Sequence, residues 1–116
     1  MHELAIAEEI LTTAKSHIYG GRRLKKVNVA LGPFSGVERE ALEFCFELAA
    51  KHFGLEGAAL EIEQLTAEGV CSACGGVCEV ASMWSACSHC GHTPMTVDGG
   101  REMRITQLEI EEDDDV

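Results

Sequence analysis

Between residues 2 and 19 the apolar side chains Leu4, Ala7, Leu11, Ala14 and Ile18 recur at helical spacing, and Ile10 lies beside the same face. Positions three and four apart share one side of a helix, so the pattern predicts an amphipathic helix. Glu3, Glu8 and Glu9 put negative charge in its first turns, where the helix dipole favours it, and Gly20-Gly21 supplies a stop. The period then changes: Leu24, Val27, Val29 and Leu31 form a β-rich run bounded by glycines and Pro33, which predicts a strand. Ser35 followed three residues on by Glu38 has the form of a capping box. It predicts a second helix over about 36–52 that buries Val37, Ala41, Phe44, Cys45, Leu48 and Phe53, with Gly54 closing it. Ala58, Leu60, Ile62 and Gln64 alternate against Ala59, Glu61, Glu63 and Leu65, a second strand. Met103, Ile105, Gln107 and Glu109 alternate against Arg104, Thr106, Leu108 and Ile110, a third.

The predicted fold class is α+β: a small three-stranded sheet with two helices on one face, plus an inserted subdomain between its last two strands. Residues 1–67 and 100–116 are expected to form the α/β domain and residues 68–99 the insertion. The insertion holds few large apolar side chains beyond Val70, Val77, Val80, Met83, Trp84 and Met95, too few to close a core unaided. A bound metal would have to contribute much of its folding free energy.

At 116 residues the chain is one ordinary domain, or a small domain with such a metal-stapled appendage. No run of eighteen apolar residues is present, so no membrane span is expected. A formal charge of −11 argues against nucleic-acid binding, which depends on clustered Lys and Arg. The one basic cluster, Arg22-Arg23-Leu24-Lys25-Lys26, leads into the first strand and fits a solvated strand entrance, while the acidic run Glu109 to Asp115 fits a solubilising tail.

Cys71/Cys74 and Cys87/Cys90 are two Cys-x-x-Cys pairs separated by residues 75–86, with Gly75 and Gly91 directly after each pair. Four thiolates so spaced can fold back on one ion as a tetrahedral cage, and soft sulfur in that geometry favours zinc in a structural role. Glycine suits the tight turns that aim backbone amides at sulfur. A redox dithiol is the alternative, but it needs a βαβ setting that nothing here supplies. Disulfides are another, but the chain opens without a charged-then-apolar signal segment, so a cytoplasmic setting with reduced thiols is expected. Cys78 is a fifth thiol near the pairs and could exchange with a ligand. His89 and His92 flank Cys90 and fit exposed turn residues, with hydrogen bonding to sulfur or ligand exchange as alternatives. Cys45 fits a buried core thiol, and His17 and His52 fit helix ends.

Met1-His2-Glu3 offers a second chemistry. The terminal amine of Met1, the deprotonated amide nitrogen of His2 and its Nδ1 close fused five- and six-membered chelate rings, with the Glu3 amide or an outside group as a fourth donor. Nitrogen-rich tetragonal sites suit Ni(II) or Cu(II). The plain reading of His2 is an exposed residue near a helix start.

Taken together, the chain resembles the HypA-type (HypA/HybF) nickel metallochaperones of hydrogenase maturation. The resemblance is carried by Met1-His2-Glu3-Leu4, Leu31-Gly32 through Ser35, Val37-Glu38, Phe44 to Glu47, the two cysteine pairs and Gly100 to Ile105. It implies nickel as transient cargo, held by the Met1 amine, the His2 side chain and backbone and the Glu3 backbone, with Glu38 as a candidate extra ligand. It implies zinc as structural cofactor on Cys71, Cys74, Cys87 and Cys90, and no catalytic residues, the protein being no enzyme. The implied partners are a HypB-type GTPase, the NiFe-hydrogenase large subunit and, in some relatives, urease maturation proteins. The chain has no Gly-x-x-x-x-Gly-Lys loop of its own, so nucleotide hydrolysis belongs to the partner. Transfer would proceed by ligand exchange, and nickel should be released as pH falls through about 6.5, the ordinary histidine range. A zinc-ribbon docking module without cargo is the alternative function, and both a monomer and a strand- or knuckle-exchanged homodimer fit the pattern.

Overall fold

The structure, a computed structural model, describes residues 3–20, 22–82, 84–93 and 95–111. Its elements in chain order are α1 (Glu3–Lys15), β1 (Arg23–Leu31), α2 (Arg39–His52), β2 (Ala59–Gln64), β3 (Ala67–Val70), β4 (Val77–Val80), β5 (Thr96–Asp98) and β6 (Met103–Glu111). They form one sheet of order β2-β1-β6 and a second of order β4-β3-β5. The α+β class and the first sheet match the sequence expectation, whereas the second sheet was not anticipated: its strands of three or four residues are too short to show a period. The chain divides into two compact units, Met1–Val29 with Val37–Glu63 and Arg104–Val116, and Ala30–Gly36 with Gln64–Met103.

In the first unit α1 buries Ile6, Ala7, Ile10, Leu11 and Ala14 and packs against α2. It stops at Lys15, short of the expected residue 19. The Thr13 carbonyl, which the His17 amide would take in a continued helix, instead receives the Ser16 hydroxyl at 2.6 Å and lies 2.9 Å from His17 Nδ1. The His17 amide turns to Ala14 O, a tighter bond that ends the helix before the glycines are reached.

Helix α2 corrects the sequence reading twice. Gly36 has φ +78, which no helix residue adopts, so the chain cannot become helical there. Glu38 remains extended and is itself the N-cap: its carboxylate accepts the Ala41 amide at 2.7 Å and the Glu40 amide at 3.4 Å. The capping box from Ser35 is therefore not formed. The helix buries Leu42, Phe46, Ala49 and Ala50, whereas Phe44 and Leu48 are 63% and 50% exposed. Apolar residues cover most of its circumference, and packing against α1 rather than periodicity selects the buried stripe. Gly54, with φ +73, closes the helix as expected.

Contacts between β1 and β2 advance together along both strands, Lys26 with Glu61 and Leu31 with Leu65, which marks a parallel pair bridged by α2. Contacts with β6 run in opposite senses: Lys26 meets Glu109, Asn28 meets Gln107, and the Gly32 amide donates to Glu102 O. Strict alternation along β6 fails at Thr106-Gln107. Met103 and Ile105 are half-buried before these two exposed residues, and Leu108 and Ile110 after them. Both face Asn28, whose carbonyl accepts Thr106 Oγ1 and whose amide donates to Gln107, and the one-residue change of phase is that of a β-bulge. Glu109 and Glu111 belong to this strand, so the acidic tail is shorter than its sequence suggested.

In the second unit β3 pairs antiparallel with β4 and β5 over a core of Ala67, Cys71, Val80, Cys87 and Met95, flanked by Phe34, Cys78 and Val97. The segment after β1 lies against the one before β6, Phe34 donating to Gly100 O at 2.7 Å. A Cβ on Gly32 would lie 2.3 Å from Gly100 O, so this approach requires glycine.

Candidate metal centre

Each cysteine pair sits in the same turn, built twice. In the first, the Cys71 amide donates to Gly76 O at 2.9 Å and the Gly75 amide to Cys71 O at 2.8 Å; in the second, Cys87 donates to His92 O at 2.9 Å and Gly91 to Cys87 O at 2.8 Å. Gly75 and Gly91 have φ +74 and +79, the left-handed conformation that folds the chain back after the second cysteine. Amides then point at sulfur: Cys74 N donates to Cys71 Sγ at 3.5 Å, Gly76 N to Cys74 Sγ at 3.4 Å and His89 N to Cys87 Sγ at 3.4 Å.

The two turns face each other. Cys71 and Cys90 sulfurs are 3.5 Å apart, Cys74 and Cys87 sulfurs 3.6 Å, and all four lie within 4.8 Å of one another. A tetrahedron of sulfurs about 2.3 Å from a zinc ion has edges of about 3.8 Å, so the cage fits that ion with little adjustment. Cys71 and Cys87 are buried while Cys74 and Cys90 are exposed.

Protons divide between the thiols accordingly. The Cys74 amide lowers the Cys71 thiol, and the Cys90 and His89 amides bring the Cys87 thiol down to about 6. The Gly76 amide pulls Cys74 down as well, but the crowding sulfurs of Cys87 and Cys71 outweigh it and push this thiol up to about 12. The His92 amide likewise favours a Cys90 thiolate, yet the Cys71 sulfur leaves that thiol raised. A divalent cation removes the competition by stabilising all four as thiolates.

The remaining candidates lie around the cage without joining it. Cys78 Sγ turns to Met95 Sδ at 3.3 Å and is outside the group of four. His89 and His92 are exposed, as expected, and each ring reaches across from the second turn: His89 Nε2 lies 3.4 Å from Val77 O at the start of β4, and His92 Nε2 lies 3.4 Å from Ser72 Oγ in the first turn. The His89 ring covers Gly76, where a Cβ would sit 2.6 Å from its Cδ2. That requirement for glycine was missed in the sequence because it depends on a side chain thirteen residues away. Cys45 is half-buried on α2.

Of the predicted nickel ligands, Met1 and His2 lie outside the described residues. Glu3 opens α1, and its Oε2 accepts the Glu38 amide at 3.1 Å, which brings two of the sequence candidates together through a bond that no local pattern signals. The Glu38 carboxylate itself is engaged in capping α2.

These features define a small α+β protein with a four-cysteine cluster that fits a metal ion and, among the described residues, no helix long and apolar enough to cross a membrane. The family model described as hydrogenase/urease nickel incorporation, metallochaperone, hypA matches residues 1–110, and the chain belongs to that HypA family of metallochaperones and hydrogenase maturation factors, which are not enzymes. It is 38% identical over 111 residues to a hydrogenase maturation factor HypA of Geobacter metallireducens and 36% identical over 111 residues to that of Geobacter sp. (strain M21), in each case spanning 96% of this chain and 100% of the relative. In fold it is similar to the solution structure of the Ni metallochaperone HypA from Helicobacter pylori, with a TM-score of 0.63, 21% identity, and coverage of 97% of this chain and 100% of that one.

Proposed function

We propose that this chain carries Ni(II) at its N-terminus and delivers it in the cytosol to the NiFe-hydrogenase large subunit, working with a HypB-type GTPase and, where urease is made, with urease maturation proteins. The nickel shell comprises the Met1 amine, the His2 amide nitrogen and Nδ1, and the Glu3 amide nitrogen. Zinc on Cys71, Cys74, Cys87 and Cys90 is structural. Residues 1–67 and 100–116 then serve the cargo ion and residues 68–99 the structural one.

The observation that carries this reading is the start of α1 at Glu3 together with the bond from its carboxylate to the Glu38 amide. The first amides of a helix have no intrahelical acceptor, so the Glu3 amide can lose its proton to a metal without breaking a helical hydrogen bond. The Glu3 side chain meanwhile anchors the end of the chain to the start of α2. Glu38 could enter the nickel shell only by leaving its cap, so it is the conditional ligand of the set.

Calorimetric nickel titration of the tag-free, zinc-loaded protein tests the assignment. Stoichiometric binding is expected, lost when one residue is added before Met1 and lost in His2→Ala with zinc content and fold retained. Equal binding in the extended form would move the site away from the N-terminus, and no binding in any form would leave the cysteine-stapled unit as a docking module.

A further inference from the structure

The two sheets expose faces of opposite electrostatic design. On the β2-β1-β6 sheet the exposed face lines a groove of about 510 Å³ and brings its own cation: Lys26 Nζ lies 2.7 Å from Glu61 and 3.1 Å from Glu109, with the Asn28 amide donating to Gln107 beside them. The outer face of the β4-β3-β5 sheet brings none. Its register sets Glu68 directly between Glu79 and Asp98, and Val70 directly between Val77 and Thr96.

Residues directly opposite on neighbouring strands place their Cβ atoms about 5 Å apart, and like charges there repel. Glu68, Glu79 and Asp98 have no cationic partner among the described residues. Beside this row of three carboxylates lies an apolar one, in which Val70 and Val77 remain 45% and 53% exposed although both could have been polar at no cost to the core on the opposite side of the sheet. A solvated face would interleave opposite charges, as the other sheet does, and would carry no paired valines.

We propose that this face docks a basic amphipathic helix of a partner protein. Three strands about 4.8 Å apart make a carboxylate row about 10 Å long, which matches Lys or Arg repeated every three or four residues over two turns of a helix. The valine row lies two residues further along the strands, about 7 Å away, within reach of an apolar stripe on the same helix. Opposite charge sets the orientation and speeds encounter, and the valines add apolar burial.

The test uses the full zinc-loaded chain and a capped peptide of about fourteen residues with lysines three or four apart beside a leucine stripe. Amide-shift mapping should confine the response to β3, β4 and β5. Affinity should fall at least about tenfold in Glu68→Gln and in Val70→Thr, and should weaken as salt is added. Glu68→Gln relieves the repulsion, so its melting temperature should hold or rise while binding weakens. A lower melting temperature would show that the fold itself needs the charge and would overturn the proposal. So would shifts centred on the Lys26 face or on the acidic C-terminal residues, or equal binding of a peptide without leucines. Saturation of the same amides by magnesium alone, or by a second copy of the chain, would likewise reject a helix as the occupant.

Discussion

Glu38 holds two backbone amides at the start of α2 with one carboxylate while its own amide is held by Glu3. Losing a side-chain cap costs about 0.5–2 kcal/mol, so Glu38→Ala should lower stability to urea by that amount and Glu38→Asp much less. Nickel affinity separates its two roles: if Glu38 only caps, Glu38→Asp binds nickel like the parent, whereas a ligand role predicts a change in the nickel spectrum with stability preserved. The cage cysteines carry a second prediction at this scale. With Cys87 at about 6 and Cys71 also lowered, while Cys74 stands at about 12 and Cys90 is raised, the metal-free cage at pH 7 holds Cys87 mainly as thiolate and keeps Cys74 and Cys90 protonated. Zinc loading there should release at least about two protons but fewer than four, seen as a dependence of the binding enthalpy on buffer ionisation. A thiol with a lowered pKa keeps its thiolate until pH falls through that value. Below about 6, therefore, Cys87 must also give up a proton, and zinc affinity should fall more steeply as acid is added. Proton release near four at pH 7 would contradict the division drawn between buried and exposed thiols.

At the scale of elements, α2 discriminates most sharply between periodicity and packing. Leu42→Ala should cost about 2–5 kcal/mol because it empties a buried position, whereas Phe44→Ala should change stability by no more than about 0.5 kcal/mol because its ring is largely in water. Chemical denaturation of the two variants checks the order, and the reverse result would restore the sequence-based face. The cysteine turns were legible because everything that forms them, from the Cys-x-x-Cys spacing to Gly75 and Gly91, lies within six residues. The face of α2 was not, since its eight apolar residues permit two stripes and only the partner helix chooses. The bulge at Thr106-Gln107 escaped for a similar reason: Asn28, which it meets, is distant in sequence. It leaves β6 an irregular edge, with Glu109 and Glu111 along it, a combination that discourages edge-to-edge pairing between chains.

For the whole molecule, the two units draw on different sources of stability. The first buries Ile10, Leu11, Leu24, Val27, Leu42 and Phe46 and needs no ion for its core. The second has a core of Ala67, Cys71, Val80, Cys87 and Met95, two of which are cage thiols, so without metal the remaining apolar side chains must enclose crowded, partly ionised sulfur. The binding free energy of a metal on the four cysteines is then largely folding free energy for that unit. Removing zinc with a chelator should expose the amides of Cys71, Gly75, Cys87 and Gly91 to hydrogen exchange while α1 and α2 stay protected, as mass spectrometry of peptic fragments can resolve. Because Glu3 and its anchor Glu38 both belong to the first unit, the stripped protein should still bind nickel at the N-terminus with close to its original affinity. Loss of protection across both units at once would make zinc a requirement of the whole fold. Loss of nickel binding with α1 and α2 still protected would instead place a cargo ligand in the zinc unit, and the N-terminal assignment would have to be extended to it.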